Sequence, residues 1–522
     1  VGIGEDGAPR IWAPGQGRYA FVGLSFTGRD PSSDQRRSNV SGVGARVAVR
    51  VGSRWTAFDT TRRASGPGQS LQPETIGLGG ASRADFVSIT WSDGVFQTEL
   101  ALDGGQLHRI AETQRQLSSC PVLFTWDGSG YRFVTDLLGT GGIGFFERPG
   151  AYSTPFPREN VLLPVGALAP ADGLYRVRMA EPMEEITYLD SLSLVAYDLP
   201  PGWKMVLDER KAIAGPMPTG DPIFYREERA PARAVDDAGK DVTAALSDAD
   251  LSAVGPREVD PRFIGLARPY AVTMTFDAPI DRGPGRPVLI VDGWVEYPYA
   301  QTVFAAWQAG AAYEAPTLEA RDAQGRWHEV AHEFGYPAGM PRRMAFPLPG
   351  LPSGTTALRL RTSQEIYWDR VAVAYREPAP AVRRRVLEMR AAELEAGGFA
   401  RRTTGPQRVP HYDDARRAPL GDTRHPRGWY TEFGRVDALV AEEDAAVAIF
   451  GPGEALTVGF EALEAPPSDG WTRLLVLEAR GWCKDMDLYT RDGETVEPLP
   501  GDATPARARL HPRFNTRYAS GH

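Results

Sequence analysis

Ala45, Val47, Val49 and Val51 alternate with Arg46, Ala48 and Arg50. That two-residue period predicts a strand with one face buried. Val87, Ile89 and Trp91 repeat it, Ser92-Asp93-Gly94 supplies a turn, and residues 95–100 return as the second arm of a hairpin. This first unit is expected to close near Arg115. A second hairpin follows, with apolar 121–126, the turn Asp127-Gly128-Ser129-Gly130, and 131–135. A glycine-rich loop at 139–144 precedes further strands at 174–179 and 187–197. Residues 226–257 are polar and rich in Asp and Ala, which predicts a long loop or a short helical insertion.

Strand signals resume from Tyr270 to Tyr375, clearest at 288–291, 317–321, 345–347 and 357–361, with Ala323-Gln324-Gly325 as a hairpin turn. Short strands with Gly/Pro turns at this spacing suggest a sandwich. Apolar residues at 382, 386 and 389, ahead of Gly397 and Gly398, predict a short helix over 382–395. Beyond Arg401, Arg/Asp-rich loops alternate with strands at 446–450 and 474–477. The expected fold class is mainly β and multidomain. A small N-terminal β domain (1–117) precedes a β-rich middle region with a polar insertion (118–260). A β-sandwich-like domain (261–378) and a β/irregular C-terminal region (379–522) follow.

Composition narrows the function classes. The 522 residues include 56 Gly and 44 Pro, and the net charge is −9. An acidic balance argues against nucleic acid as a partner. No run of 18 apolar residues exists, so no membrane-spanning helix is expected. Only Lys204, Lys211, Lys240 and Lys484 are lysines against 54 arginines, the balance expected of a high-GC bacterial genome. Arg383 to Arg385 accordingly reads as a solvated face. Cys120 and Cys483 are too few for a disulfide framework or a four-sulfur metal site. Two separate buried thiols are expected, with a bond across the fold as the alternative. The chain starts at Val1, as a processed mature chain or the ordered part of a longer one would.

Several motifs invite chemistry. His328-Glu329-Val330-Ala331-His332 matches H-E-x-x-H, which binds zinc when one helical face carries both imidazoles. Here Gly325 and Pro337 flank it, Ala338 fills the third-ligand slot, and residues 327–330 are predicted to be a return strand. On a strand, residues four apart stand about 13 Å apart, too far for one ion. Gly139 to Gly144 matches G-x-G-x-x-G, but Phe145 to Gly150 cannot continue as the helix a dinucleotide needs. A tight glycine turn is expected instead. No P-loop and no G-x-S-x-G is present, and no catalytic residue is assigned. Asp485, Asp487, Asp492 and Glu494 offer closely spaced hard oxygens that suit calcium, without EF-hand spacing. Trp294, Glu296, Tyr297 and Tyr299, with Tyr367, Trp368 and Asp369, pair rings with carboxylates. Such a set either stacks on sugars or anchors a core. Asn39-Val40-Ser41 is a formal glycosylation acceptor of little weight in a bacterial chain.

Arg37-Ser38-Asn39, then Gly42-Val43-Gly44-Ala45-Arg46-Val47-Ala48-Val49, resembles the signature of the ASPIC/UnbV domain. The Gly77-Leu78-Gly79 turn, residues 87–91 and Ser92-Asp93-Gly94 follow in the same order, so the resemblance covers about 18–112. Stretches 120–138, 181–190, 292–301, 362–369 and 481–500 resemble the long C-terminal extension of bacterial members. The resemblance implies an exported protein, typically placed after FG-GAP (VCBS-type) propeller repeats whose Asp-rich loops hold calcium. This sequence shows no such repeats. The expected function is a non-enzymatic binding or assembly protein at the cell surface, extracellular or periplasmic. Its expected partners are other envelope or extracellular proteins, glycans, or further copies of itself. The alternative is a secreted hydrolase: a metalloprotease through His328, Glu329 and His332, or a carbohydrate-active enzyme using carboxylates near Trp294 or Trp368.

Overall fold

The computed structural model describes residues 2–3, 6–10, 19–28, 38–61, 73–92, 94–112, 120–418, 424–463 and 469–521. Strand accounts for 48% of it and helix for 7%, so the protein is mainly β. No helix among the described residues is long and apolar enough to cross a membrane. The chain divides into two compact units, Val1–Gln114 and Arg115–His522.

The alternating valines of the first unit form strand Arg46–Val51, with Val47, Val49 and Val51 buried. It pairs antiparallel with Arg54–Asp59 and Arg83–Thr90, and Arg83–Thr90 pairs with Phe96–Asp103. A second sheet places Phe21–Thr27 between Glu74–Gly77 and a parallel Leu107–Ala111. Val22, Leu24 and Phe26 of this sheet meet the valines of the first in one core. The signature residues have local work to do. Asn39 accepts from the Val43 N–H at 2.9 Å and donates to the Val43 carbonyl at 2.6 Å, which closes the turn. Gly42 sits at φ +59°, and a Cβ there would lie 2.7 Å from that of Phe26, so only glycine fits. Arg37 of the signature and Asp93 of the hairpin turn lie outside the described residues.

The second unit contains two β-sandwiches. In the first, a six-stranded sheet runs in the order Tyr131–Asp136, Val122–Trp126, Leu174–Ala180, Ala455–Glu461, Met389–Glu395, Gly434–Arg435. It faces Arg158–Leu162, Thr472–Asp485, Glu185–Leu199 and Arg383–Leu387, with Ala448–Phe450 also paired to Glu185–Leu199. Met179, Val458 and Leu394 of one sheet share a core with Leu192, Leu194 and Leu477 of the other. Both sheets thus interleave strands from 118–260 with strands from 379–522.

The second sandwich is nearly continuous in sequence. Glu228–Arg229, Ile366–Arg376, Arg286–Val295 and Arg342–Pro347 form one layer. Arg233–Asp236, Leu266–Thr275, Ala357–Gln364, Thr317–Arg321 and Trp327–Ala331 form the other. Leu289, Val291, Val371 and Phe346 pack against Val272, Met274, Leu318 and Leu360 between them.

Three local expectations change. Residues 382–395 are not a helix but strands Arg383–Leu387 and Met389–Glu395. Ala392 and Leu394 are buried two apart while Arg383 to Arg385 stay exposed. Pairing with Glu185–Leu199 and Ala455–Glu461 overrides the weak helical spacing. Residues 226–257 hold two edge strands and only a single 3-10 turn, Ala244–Leu246. Helices Ala300–Gln308 and Pro505–Phe514 were not signalled by periodicity. Both are short and set by their ends; Thr504 Oγ1, for example, accepts from the Arg507 N–H at 3.1 Å.

Candidate functional site

His328 to Ala331 of the H-E-x-x-H segment lie on a strand, and His332 opens the turn after it. Trp327–Ala331 pairs antiparallel with Thr317–Arg321, with Glu319 opposite Glu329 and Ala320 opposite His328. His328 Nε2 lies 2.7 Å from Asp322 Oδ2, whereas the His332 ring approaches Glu329 and Glu333 only to 3.8 and 3.9 Å. The two imidazoles have separate partners, and no helix brings them to one ion.

The aromatic set is packed inward. Trp294 and Tyr367 are cross-strand partners whose rings stack at 5.5 Å. Trp294 Nε1 donates to the Gln407 carbonyl at 2.8 Å, and the Tyr367 hydroxyl donates to Glu365 at 2.6 Å. Trp368 faces the sandwich core, and Glu296 and Tyr299 are also buried. These residues therefore offer no open ring face to a sugar. Asp369 differs. It is buried, its Oδ2 accepts from the Leu251 N–H at 3.2 Å, and its Oδ1 has no hydrogen-bond partner. It lines a cleft of about 690 Å³ between the two sandwiches, with Trp203, Lys204, Tyr225, Asp292 and Arg343.

The four acidic residues at 485–494 are not gathered. Asp487 is committed to backbone, accepting from Gln301 N–H at 3.0 Å at the start of helix Ala300–Gln308 and from Tyr489 N–H at 2.8 Å. Asp492 and Glu494 are exposed. Asp485 points elsewhere, into a cluster that spacing could not reveal.

That cluster starts from strand register. Glu185–Leu199 and Thr472–Asp485 pair so that Glu185 faces Asp485 and Thr187 faces Cys483. Residues two apart share a sheet face, so all four side chains project to one side. Cys120, just before strand Val122–Trp126, meets them there. Its Sγ lies 3.3 Å from that of Cys483, and both thiols are buried and unbonded. The two cysteines are therefore not separate, as expected, but in contact. One oxygen of Glu185 joins the two sulfurs in a group whose members all lie within 4.8 Å of one another. It is the one such grouping of three potential ligands among the described residues.

The surroundings leave this group short of donors. Beyond the Asp485 carboxyl that it faces, Glu185 has no hydrogen-bond partner. Glu181 accepts from Thr187 Oγ1 at 2.8 Å through Oε2, while its Oε1 is unpartnered. Burial pushes the carboxyls of Glu185 and Glu181 well above the usual range. Contact with Cys483, then burial, raises the Cys120 thiol. The same contact lowers Cys483, but burial outweighs it and pushes that thiol up to about 12. The Tyr297 hydroxyl, also unpartnered, closes one side. A Cβ on Gly139 would lie 3.0 Å from that hydroxyl and 3.7 Å from Cys120 Sγ. Burial raises the Asp485 carboxyl, opposed by its contact with Glu185 and by the charge of Lys211, whose Nζ donates to the Gly139 carbonyl at 3.0 Å.

The glycine-rich loop forms this wall, and it is followed by strand Phe146–Arg148 rather than a helix. Ile143 N–H donates to the Cys483 carbonyl at 2.8 Å, and a Cβ on Gly141 would lie 2.6 Å from the Gly481 carbonyl oxygen. The glycines let backbone meet backbone beside Cys483. Beyond it, buried Arg342 pairs with Glu159 and also donates to the Asp136 carbonyl, linking the two sandwiches. Sequence inspection missed Cys120, Glu185 and Cys483 as a group. The available signal was the run Glu181-Pro182-Met183-Glu184-Glu185, which places carboxylates at the mouth of a strand otherwise built for burial.

Residues 35–117 match the family model described as ASPIC and UnbV. The chain carries an ASPIC/UnbV domain. Its paired sheets, and the turn made by Asn39 and Gly42, are the structural content of the signature. No curated protein matches the chain. Among solved structures, a chain from the "Structure of infectious bursal disease virus Gt strain" aligns at 10% identity over 89% of this chain and 80% of that one. Its TM-score of 0.10 carries no argument about fold. The buried cluster lies outside the ASPIC/UnbV domain, in the second unit.

Proposed function

We propose that this is an exported, non-enzymatic binding protein of the cell surface, and that it holds glycans in the cleft between the two sandwiches of its second unit. The observation that carries the proposal is that cleft of about 690 Å³, whose lining sets Trp203 and Tyr225 beside Lys204, Asp292, Arg343 and Asp369. The lining carries acceptors and donors for hydroxyl groups, among them the Asp292 and Asp369 carboxyls, Lys204 and Arg343. Trp203 adds an aromatic surface and Arg343 a cation. The cleft volume falls within the range of small-ligand sites.

A binding role is favoured over hydrolysis by the state of the second carboxylate. Asp292 is engaged by Arg343 at 2.8 Å and Arg370 at 3.4 Å, so it is not a free partner for acid–base work with Asp369. The ASPIC/UnbV match supports the exported setting through the company such domains keep.

Glycan-array screening followed by titration calorimetry tests the proposal. Wild type should retain a glycan class, and W203A and D369N should each weaken it at least tenfold. Absence of any glycan ligand would refute it, as would glycan turnover in an assay run with and without chelator.

A further inference from the structure

We propose that Cys120, Cys483 and Glu185 bind one zinc ion that fastens the start of the first sandwich to its longest strand pair. Asp485 is assigned the fourth position. The donor set is two sulfurs and carboxylate oxygen, which suits a borderline-soft ion and not calcium or magnesium. The spacing also fits. Two sulfurs on one tetrahedral zinc lie about 3.8 Å apart, from Zn–S bonds of about 2.3 Å. The observed 3.3 Å needs a small opening, without backbone rearrangement.

The second, independent observation is Glu185. It is fully buried, its oxygens have no partner beyond the Asp485 carboxyl, and one of them lies close to both sulfurs. A disulfide would offer that carboxyl no polar partner, whereas a cation would bind its oxygens. Lys211 offsets part of the remaining negative charge near Asp485. Binding is written as Zn²⁺ plus two thiols and the Glu185–Asp485 carboxyl pair sharing one proton, giving a complex of two thiolates and two carboxylates and three released protons. No electron moves. The ligands come from near residues 120, 185 and 483, and all three are buried, as in a closed structural site.

The test uses the full chain, reduced anaerobically, stripped with chelator, and titrated with Co²⁺ and then Zn²⁺. One equivalent of cobalt should bind with a strong thiolate-to-cobalt absorption band, and zinc should displace it. C120S and C483S should each abolish the band. E185Q, which keeps the side-chain shape, should retain the native near-ultraviolet circular dichroism and lose at least about tenfold in affinity. The proposal fails if reduced, natively folded wild type gives no thiolate band. It also fails if E185Q binds as tightly as wild type, or if the isolated protein carries a Cys120–Cys483 disulfide and takes up no metal after reduction. None of these readouts involves glycan, so they stand or fall apart from the cleft.

Discussion

His328, Glu329 and His332 lie within five positions of one another, yet the fold keeps them apart as functional groups. Cys120, Glu185 and Cys483 span 363 positions and share one pocket. The first set sits on an edge strand and the turn after it, where each side chain meets solvent and its own neighbours. The second set sits where three backbone segments converge inside a sandwich. Proximity in sequence makes a metal site only if the local element supplies curvature. Proximity in space needs only register and close packing.

The strongest break of this contrast is expected at the buried charges next to the cysteine pocket. Replacing Arg342 by Ala leaves buried Glu159 without its charge partner. Urea unfolding should show a loss of about 3–5 kcal/mol. A loss below 1 kcal/mol would mean that this seam is more hydrated than its burial implies.

A pH series sharpens the contrast next. Burial pushes the Asp136 carboxyl up to about 7, with Arg342 opposing the rise. Its unfolded value is about 3.9, so the folded state holds the proton more tightly. Stability should then fall as pH rises from about 4 to about 7 and level off above. D136N should flatten that slope in thermal unfolding measured across the range. An unchanged slope would assign it to another group.

Smaller effects follow. Gly141→Ala places a Cβ 2.6 Å from the Gly481 carbonyl oxygen and should cost about 1–3 kcal/mol. The same variant should weaken cobalt binding by displacing the loop beside Cys483. At the bottom of the scale, the double variant H328A/H332A should change stability by less than about 1 kcal/mol, because both side chains are substantially exposed. It should leave metal content untouched. Loss of bound zinc in that variant would reverse the contrast altogether.

Much of the strand framework was legible. Val47, Val49 and Val51 announce their buried face by alternation, and the turn at Ala323-Gln324-Gly325 announces the hairpin that disarms the H-E-x-x-H match. The misread segment 382–395 shows the limit. Its apolar spacing is weak, and its conformation follows from strands some 200 positions earlier and 65 positions later. Trp294 and Tyr367 were recognisable as a ring-and-carboxylate set, but only their cross-strand stacking shows that the rings face each other.

Side-chain periodicity, turn residues and hydropathy settle a β-rich chain without a long apolar run, because these are properties of short windows and of sums. Pairing partners and the meeting of Cys120 with Glu185 and Cys483 depend on strands hundreds of residues apart. No short window carries that information, since a side chain's chemistry depends on what the folded chain brings within a few ångströms of it.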